Sequence, residues 1–345
     1  MAGLPLYGMP RREHVTYRAR LAIASVGLAK RPGSEDNGSE KGDFVVGESA
    51  PMNMSACALS MLCVCALSDS PDEVTTISTA IRGGRGSLMH EVTSSYQAGK
   101  TTIRILLPDR VEKSRQYPVL YVLPVEPRDE KRWGDSLLEV EKHDLHNKHG
   151  LICVFPTFSH LPWYGDHLID RQIRQESYFL DVVVPFVDKM YPTTAKPDGR
   201  LLVGFSKSGW GAFTLLLRNP DVFGKAAAWD APLMMERPDK YGMDKILPSG
   251  EAFEAYRVAT LLRRKAKLFS REPRLIHAGY DNFREHHESA HRLMHELKIA
   301  HVYRDGPKRK HSWNSGWLSE AVATLVAEES VAPLSHRPGT RVDHR

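Results

Sequence analysis

The chain has 345 residues, is 41% hydrophobic, and carries 47 basic against 42 acidic residues for a formal net charge of +5. That length and apolar content can bury one large core, and the nearly cancelling charge excludes the strongly basic surface of a nucleic-acid binder. The densest basic run, Arg263-Arg264-Lys265-Ala266-Lys267, is flanked by Leu261-Leu262 and Leu268-Phe269, the pattern of a solvated helix face.

The N-terminal part reads as an extension over residues 1–85. Arg31 to Asp43 contains no large apolar residue and should be disordered. The uncharged run 56–67 holds Cys57, Cys63 and Cys65; it is too short to span a bilayer, which needs about 20 residues. It has the length of a signal-peptide apolar region, and Ala66-Leu67-Ser68 offers small residues for cleavage. A signal requires translation to start at Met52 or Met54, giving a secreted or periplasmic protein; otherwise the expectation is cytoplasmic. No Cys-x-x-Cys metal pair occurs among the 4 cysteines, and no disulfide framework is implied. No integral membrane segment, cofactor or metal is expected.

Residues 86–330 alternate strand and helix patterns, which predicts an α/β domain with a mostly parallel sheet and helices on both faces. Strands are expected at 102–107, at the fully apolar 118–123, and at 151–155. A helix follows over 177–190, then a strand at 200–203 and a helix over 210–217. Further strands are expected at 225–229, 274–277 and 301–303, with helices over 283–297 and 318–327. Between Leu233 and Pro273 the pattern loosens, as in a small cap-like insertion. Residues 331–345 read as a flexible tail.

The stretch GFSKSGWGA, Gly204 to Ala212, sits where the strand stops and the helix starts. A nucleophile elbow of an α/β-hydrolase holds a serine in such a turn, with small residues two before and two after it. Ser206 meets this requirement with Gly204 and Ser208; Ser208 does not, because Trp210 stands two residues after it. A phosphate loop is excluded by the missing GxxxxGK[ST] and GxGxxG patterns.

A serine hydroxyl needs a base, and the base an orienting carboxylate. In this fold class the chain order is Ser, Asp or Glu, then His. His311, after the last strand, is the candidate base. Asp230, Asp281 and Asp305 all end strands; the expectation is Asp281, with Asp230 the runner-up and Asp305 given a turn role. The oxyanion hole would use the Lys207 backbone N–H and that of Val125 or Glu126, after the central strand. His287, His291 and His295 share one helix face, which reads as solvated rather than metal-binding. Trp163, Tyr164 and Trp313 are candidates for the walls of a pocket for a small-molecule ester.

The segments YPVLYVLP, PWYGD, YFLDVVVPFVDKMYP, GFSKSGWGAF, RNPDVFGKAAAWD and HSWNSGW follow one another in the chain. Together, over about residues 88–328, they resemble the esterase D family of α/β-hydrolases, which includes S-formylglutathione hydrolases, feruloyl esterases, enterochelin esterases and mycolyltransferases. The resemblance implies a serine esterase in which Ser206 matches the nucleophile, Asp281 the acid and His311 the base. The departure is Pro124-Val125, where family members commonly have His-Gly. That departure leaves a second expectation beside the esterase: a hydrolase-fold protein that binds a ligand or partner without turning it over.

Overall fold

The computed structural model describes residues 15–17 and 75–327. The apolar run 56–67, its three cysteines, the 331–345 tail and the extension calls up to residue 74, apart from the short strand at 15–17, lie outside the described residues.

Among the described residues one sheet of 11 strands forms the frame. β1 (Val15–Tyr17), β2 (Thr75–Ile77), β3 (Ile81–Arg82), β4 (Leu88–Ser94) and β5 (Lys100–Leu106) pair antiparallel. β6 (Val119–Val122), β7 (Ile152–Pro156), β8 (Arg200–Phe205), β9 (Lys225–Trp229), β10 (Leu275–Gly279) and β11 (His301–Asp305) pair parallel. The order is β1-β2-β4-β5-β7-β6-β8-β9-β10-β11, with β3 beside β4. The sheet therefore begins ahead of residue 86. Thr75 and Ile77 are buried there, and the Thr75 hydroxyl lies 3.1 Å from that of Ser94.

The central strands carry side chains to two cores in strict alternation. Val119, Tyr121 and Leu123 enter one core, and Leu120 and Val122 the other. Each large side chain buried this way contributes roughly 1.5–3 kcal/mol. From β6 the neighbours run to β7 on one side and β8 on the other, so the connections diverge there. In parallel α/β sheets the crevice at the carboxyl ends of such strands is where ligands bind.

The helices are α1 (Ser136–Lys142), α2 (Leu145–Lys148), α3 (Gln175–Tyr178), α4 (Val184–Met190), α5 (Lys207–Arg218), α6 (Gly250–Glu254), α7 (Val258–Lys265), α8 (Arg284–Glu296) and α9 (Leu318–Val326). The helix expected over 177–190 is α3 and α4 joined by a π-turn, Phe179–Val183. Pro185 explains the break in pattern, since it has no N–H to donate to the preceding turn. The loosely patterned segment after β9 holds α6 and α7, and α7 packs on α5. None of the helices among the described residues is long and apolar enough to cross a membrane.

Candidate active site

Ser206 joins β8 to α5 with φ 53° and ψ −133°, a backbone region that L-residues rarely adopt. The neighbours that permit this turn have no room for a side chain. A Cβ on Gly204 would lie 2.3 Å from the Ser208 carbonyl oxygen, and one on Gly209 would lie 2.7 Å from the Ala231 Cβ. Ser208 is fully buried, and its hydroxyl donates to the Phe205 carbonyl at 2.9 Å while lying 3.1 Å from the Phe205 N–H. Its hydroxyl is thus consumed in holding the turn.

The Ser206 N–H donates to the Trp229 carbonyl at 3.0 Å. Phe205 and Trp229 are register partners, so Ser206 and Asp230 are the first residues beyond two neighbouring strand ends. Asp230 is buried, and its Oδ2 lies 2.6 Å from His311 Nδ1. Its Oδ1 accepts the N–H groups of Phe283 at 3.0 Å and Asp281 at 3.3 Å. Burial pushes the Asp230 carboxyl up, but the bond to His311 and the two N–H donors outweigh it and leave the group below its ordinary range. The His311 ring is held by edge contacts with Phe205 at 5.0 Å and Trp133 at 5.2 Å, and by Phe283 at 5.7 Å.

The carboxylate beside His311 is therefore that of Asp230, not Asp281. Asp281 lies one strand further out, beyond β10, and turns its N–H inward to Asp230 while its carboxylate faces Lys308 at 3.4 Å. Strand-end position alone did not separate the two; the β8–β9 register does. Asp305 pairs with Arg284.

Val125 is buried directly after the central strand. Among the described residues neither its N–H nor that of Lys207 has a hydrogen-bond acceptor. Both are free to serve a ligand. The Pro124 carbonyl, in the peptide unit that carries the Val125 N–H, accepts from the Tyr164 hydroxyl at 2.6 Å. Trp163 and Tyr164 do not form exposed pocket walls: both are fully buried, and their N–H groups each donate to Gln175 Oε1 at 2.8 Å. A Cβ on Gly211 would lie 2.0 Å from the Tyr164 ring, so α5 presses on it directly. Trp313 packs on Phe205 at 5.0 Å and helps line a cavity of about 50 Å³ together with Val125, Glu126, Trp133 and Leu137.

The family pattern described as a putative esterase matches residues 170–317, a span that takes in Ser206, Asp230 and His311. Two curated esterases of Mycobacterium tuberculosis are 28% identical to this chain over 138 residues, which is 39% of its length. The match spans 30% of those relatives' own length. Among solved structures, the fold is similar to a Staphylococcus aureus fluorophosphonate-binding serine hydrolase (TM-score 0.58, 14% identity, 70% of this chain and 98% of that one). It is also similar to an S-formylglutathione hydrolase from Agrobacterium tumefaciens (TM-score 0.56, 14% identity, 74% of this chain and 95% of that one). A ferulic acid esterase aligns with TM-score 0.55 and 22% identity over 70% of this chain and 96% of that one.

Two further features around these residues were not legible as a site. Glu126 Oε1 accepts the Trp133 indole N–H at 2.8 Å and lies 3.4 Å from Lys207 Nζ. Burial lowers the Lys207 ammonium from its usual range, against the pull of Glu126. The signal available in sequence was a charge on each of two residues already expected near the oxyanion. The second feature corrects the solvated histidine face, because His287 is fully buried. Its Nε2 accepts the Ala231 N–H at 2.7 Å and its Nδ1 lies 3.1 Å from His277 Nδ1. Among the described residues no group of three or more His, Cys, Asp or Glu side chains is placed to hold a metal.

Proposed function

We propose that this protein is a serine hydrolase of carboxylic esters working through an acyl-enzyme. The observation that carries the reading is the 2.6 Å contact of His311 Nδ1 with the buried Asp230 carboxylate, beside a serine held in the elbow conformation. Asp230 fixes the tautomer with the proton on Nδ1, which leaves Nε2 free as the base. Nε2 takes the Ser206 proton as Oγ attacks the ester carbonyl. The carbonyl π electrons move onto oxygen, where the Val125 and Lys207 N–H groups receive the negative charge. Collapse of the tetrahedral species breaks the bond to the alkoxy group, which leaves with the proton from His311. Water then repeats the sequence on the acyl-enzyme, releasing the acid and restoring Ser206.

The experiment is hydrolysis of p-nitrophenyl butyrate together with labelling by a fluorophosphonate probe. The wild type should do both, and Ser206→Ala should lose both, with turnover down by about six orders of magnitude. Ser208→Ala should keep its label. A label on Ser208, or an inert wild type, would overturn the reading.

A further inference from the structure

We propose that Tyr164 and Glu126 are positioning residues that aim the Val125 N–H. The inference rests on the reading of Ser206 as a nucleophile. A trans peptide points its carbonyl and its N–H in opposite directions. The hydroxyl of the fully buried Tyr164 holds the Pro124 carbonyl at 2.6 Å, and so fixes where the N–H of the next residue points. Tyr164 itself has little freedom: its backbone is in the left-handed region at φ 55° and its ring lies against Gly211 of α5. The tyrosine is therefore referenced to the helix that starts at the nucleophile.

On the far side of Val125, the Glu126 carboxylate is held twice, by the Trp133 indole N–H and by Lys207. The side chains of Lys207 and Glu126 are only 13% and 10% exposed, so their attraction is weakly screened. Lys207 also supplies the other backbone donor. One ion pair thereby sets the separation of the two residues that frame the oxyanion position. Trp133 extends the link to the base through its edge contact with His311.

A group that acts only by aiming a donor should change the transition state and leave ground-state binding alone. The test measures kcat and KM on p-nitrophenyl butyrate, the Ki of a trifluoromethyl ketone mimic of the tetrahedral species, and melting temperature, for Tyr164→Phe and Glu126→Gln. Each variant should lose about tenfold or more in kcat, less than the loss of a whole donor. KM should stay within about twofold, and Ki should rise in step with the fall in kcat/KM. Glu126→Gln keeps the shape and the acceptor for Trp133, so it carries the test if Tyr164→Phe melts early. An active wild type with kcat unchanged in both variants would overturn this inference alone. So would losses that appear in KM with Ki unmoved. A wild type inert to esters would overturn the functional reading and this one with it.

Discussion

The ends of β9 and β10 both carry an aspartate, and the two have opposite surroundings. At the end of β9, Asp230 is buried, bonded to His311 on one oxygen and to two backbone N–H groups on the other. At the end of β10, the Asp281 side chain is 31% exposed and faces a lysine that is itself 80% exposed. Exposed pairs of that kind contribute about 0–1 kcal/mol. In this sheet the carboxylate that meets His311 follows the strand paired with the nucleophile's strand, and the one a strand further out faces solvent. β9 is the direct partner of β8, whereas β10 is one strand removed.

The sharpest way to break this comparison is to neutralise each aspartate in turn. Asp230→Asn should lose on the order of 10⁴ in turnover, about 5 kcal/mol of barrier, because His311 can then take the wrong tautomer. KM should change little. Asp281→Asn should stay within about threefold of wild type, as expected for a surface substitution away from special contacts. If Asp281→Asn is the dead variant and Asp230→Asn the active one, the placement drawn from the β8–β9 register is wrong.

A smaller effect sharpens the same contrast through acid. Burial pushes His287, packed behind the β9 end, down to about 3, with Asp230 pulling it up and His286 adding to the lowering. An unfolded histidine titrates near 6.5. Stability from keeping His287 neutral is therefore complete above about pH 6.5 and is lost as pH falls from there towards about 3. Asp230 acts in the same direction but lower: with its folded value depressed, its contribution is present above about 3.9 and fades as pH falls through the folded value. The melting temperature of the wild type should fall between pH 7 and pH 4.5, and His287→Gln should fall less. Parallel curves for the two proteins would place the acid sensitivity elsewhere.

The elbow and the strands around it were legible because they depend on local rules. Gly204 and Gly209 mark a turn with no room for side chains, and the apolar runs at 118–123 and 226–229 are short and bounded by turn residues, as buried strands are. His311 was legible from chain order. What the sequence did not carry was lateral order in the sheet: Asp230 and Asp281 both follow apolar strands, and only pairing decides which lies next to β8. The histidine stripe misled for a similar reason. His287, His291 and His295 have the same spacing, yet α8 turns one of them into the core beside His277 and leaves His295 exposed. The Tyr164 hydroxyl on Pro124 is a contact across 40 positions of chain, and no local pattern announces it.

The turn at Ser206 has a thermodynamic side as well. Both Ser206 and Asp230 hold positive φ, at 53° and 40°, and such conformations cost on the order of 1–3 kcal/mol each in residues with a Cβ. Glycine adopts them freely. Ser206→Gly should then melt at a higher temperature than the active protein while hydrolysing nothing, with differential scanning calorimetry as the check. A melting temperature at or below that of the wild type would mean the turn is relaxed as built. The expected result would make the reactive conformation a standing tension in the fold, one the surrounding strands and α5 are rigid enough to hold.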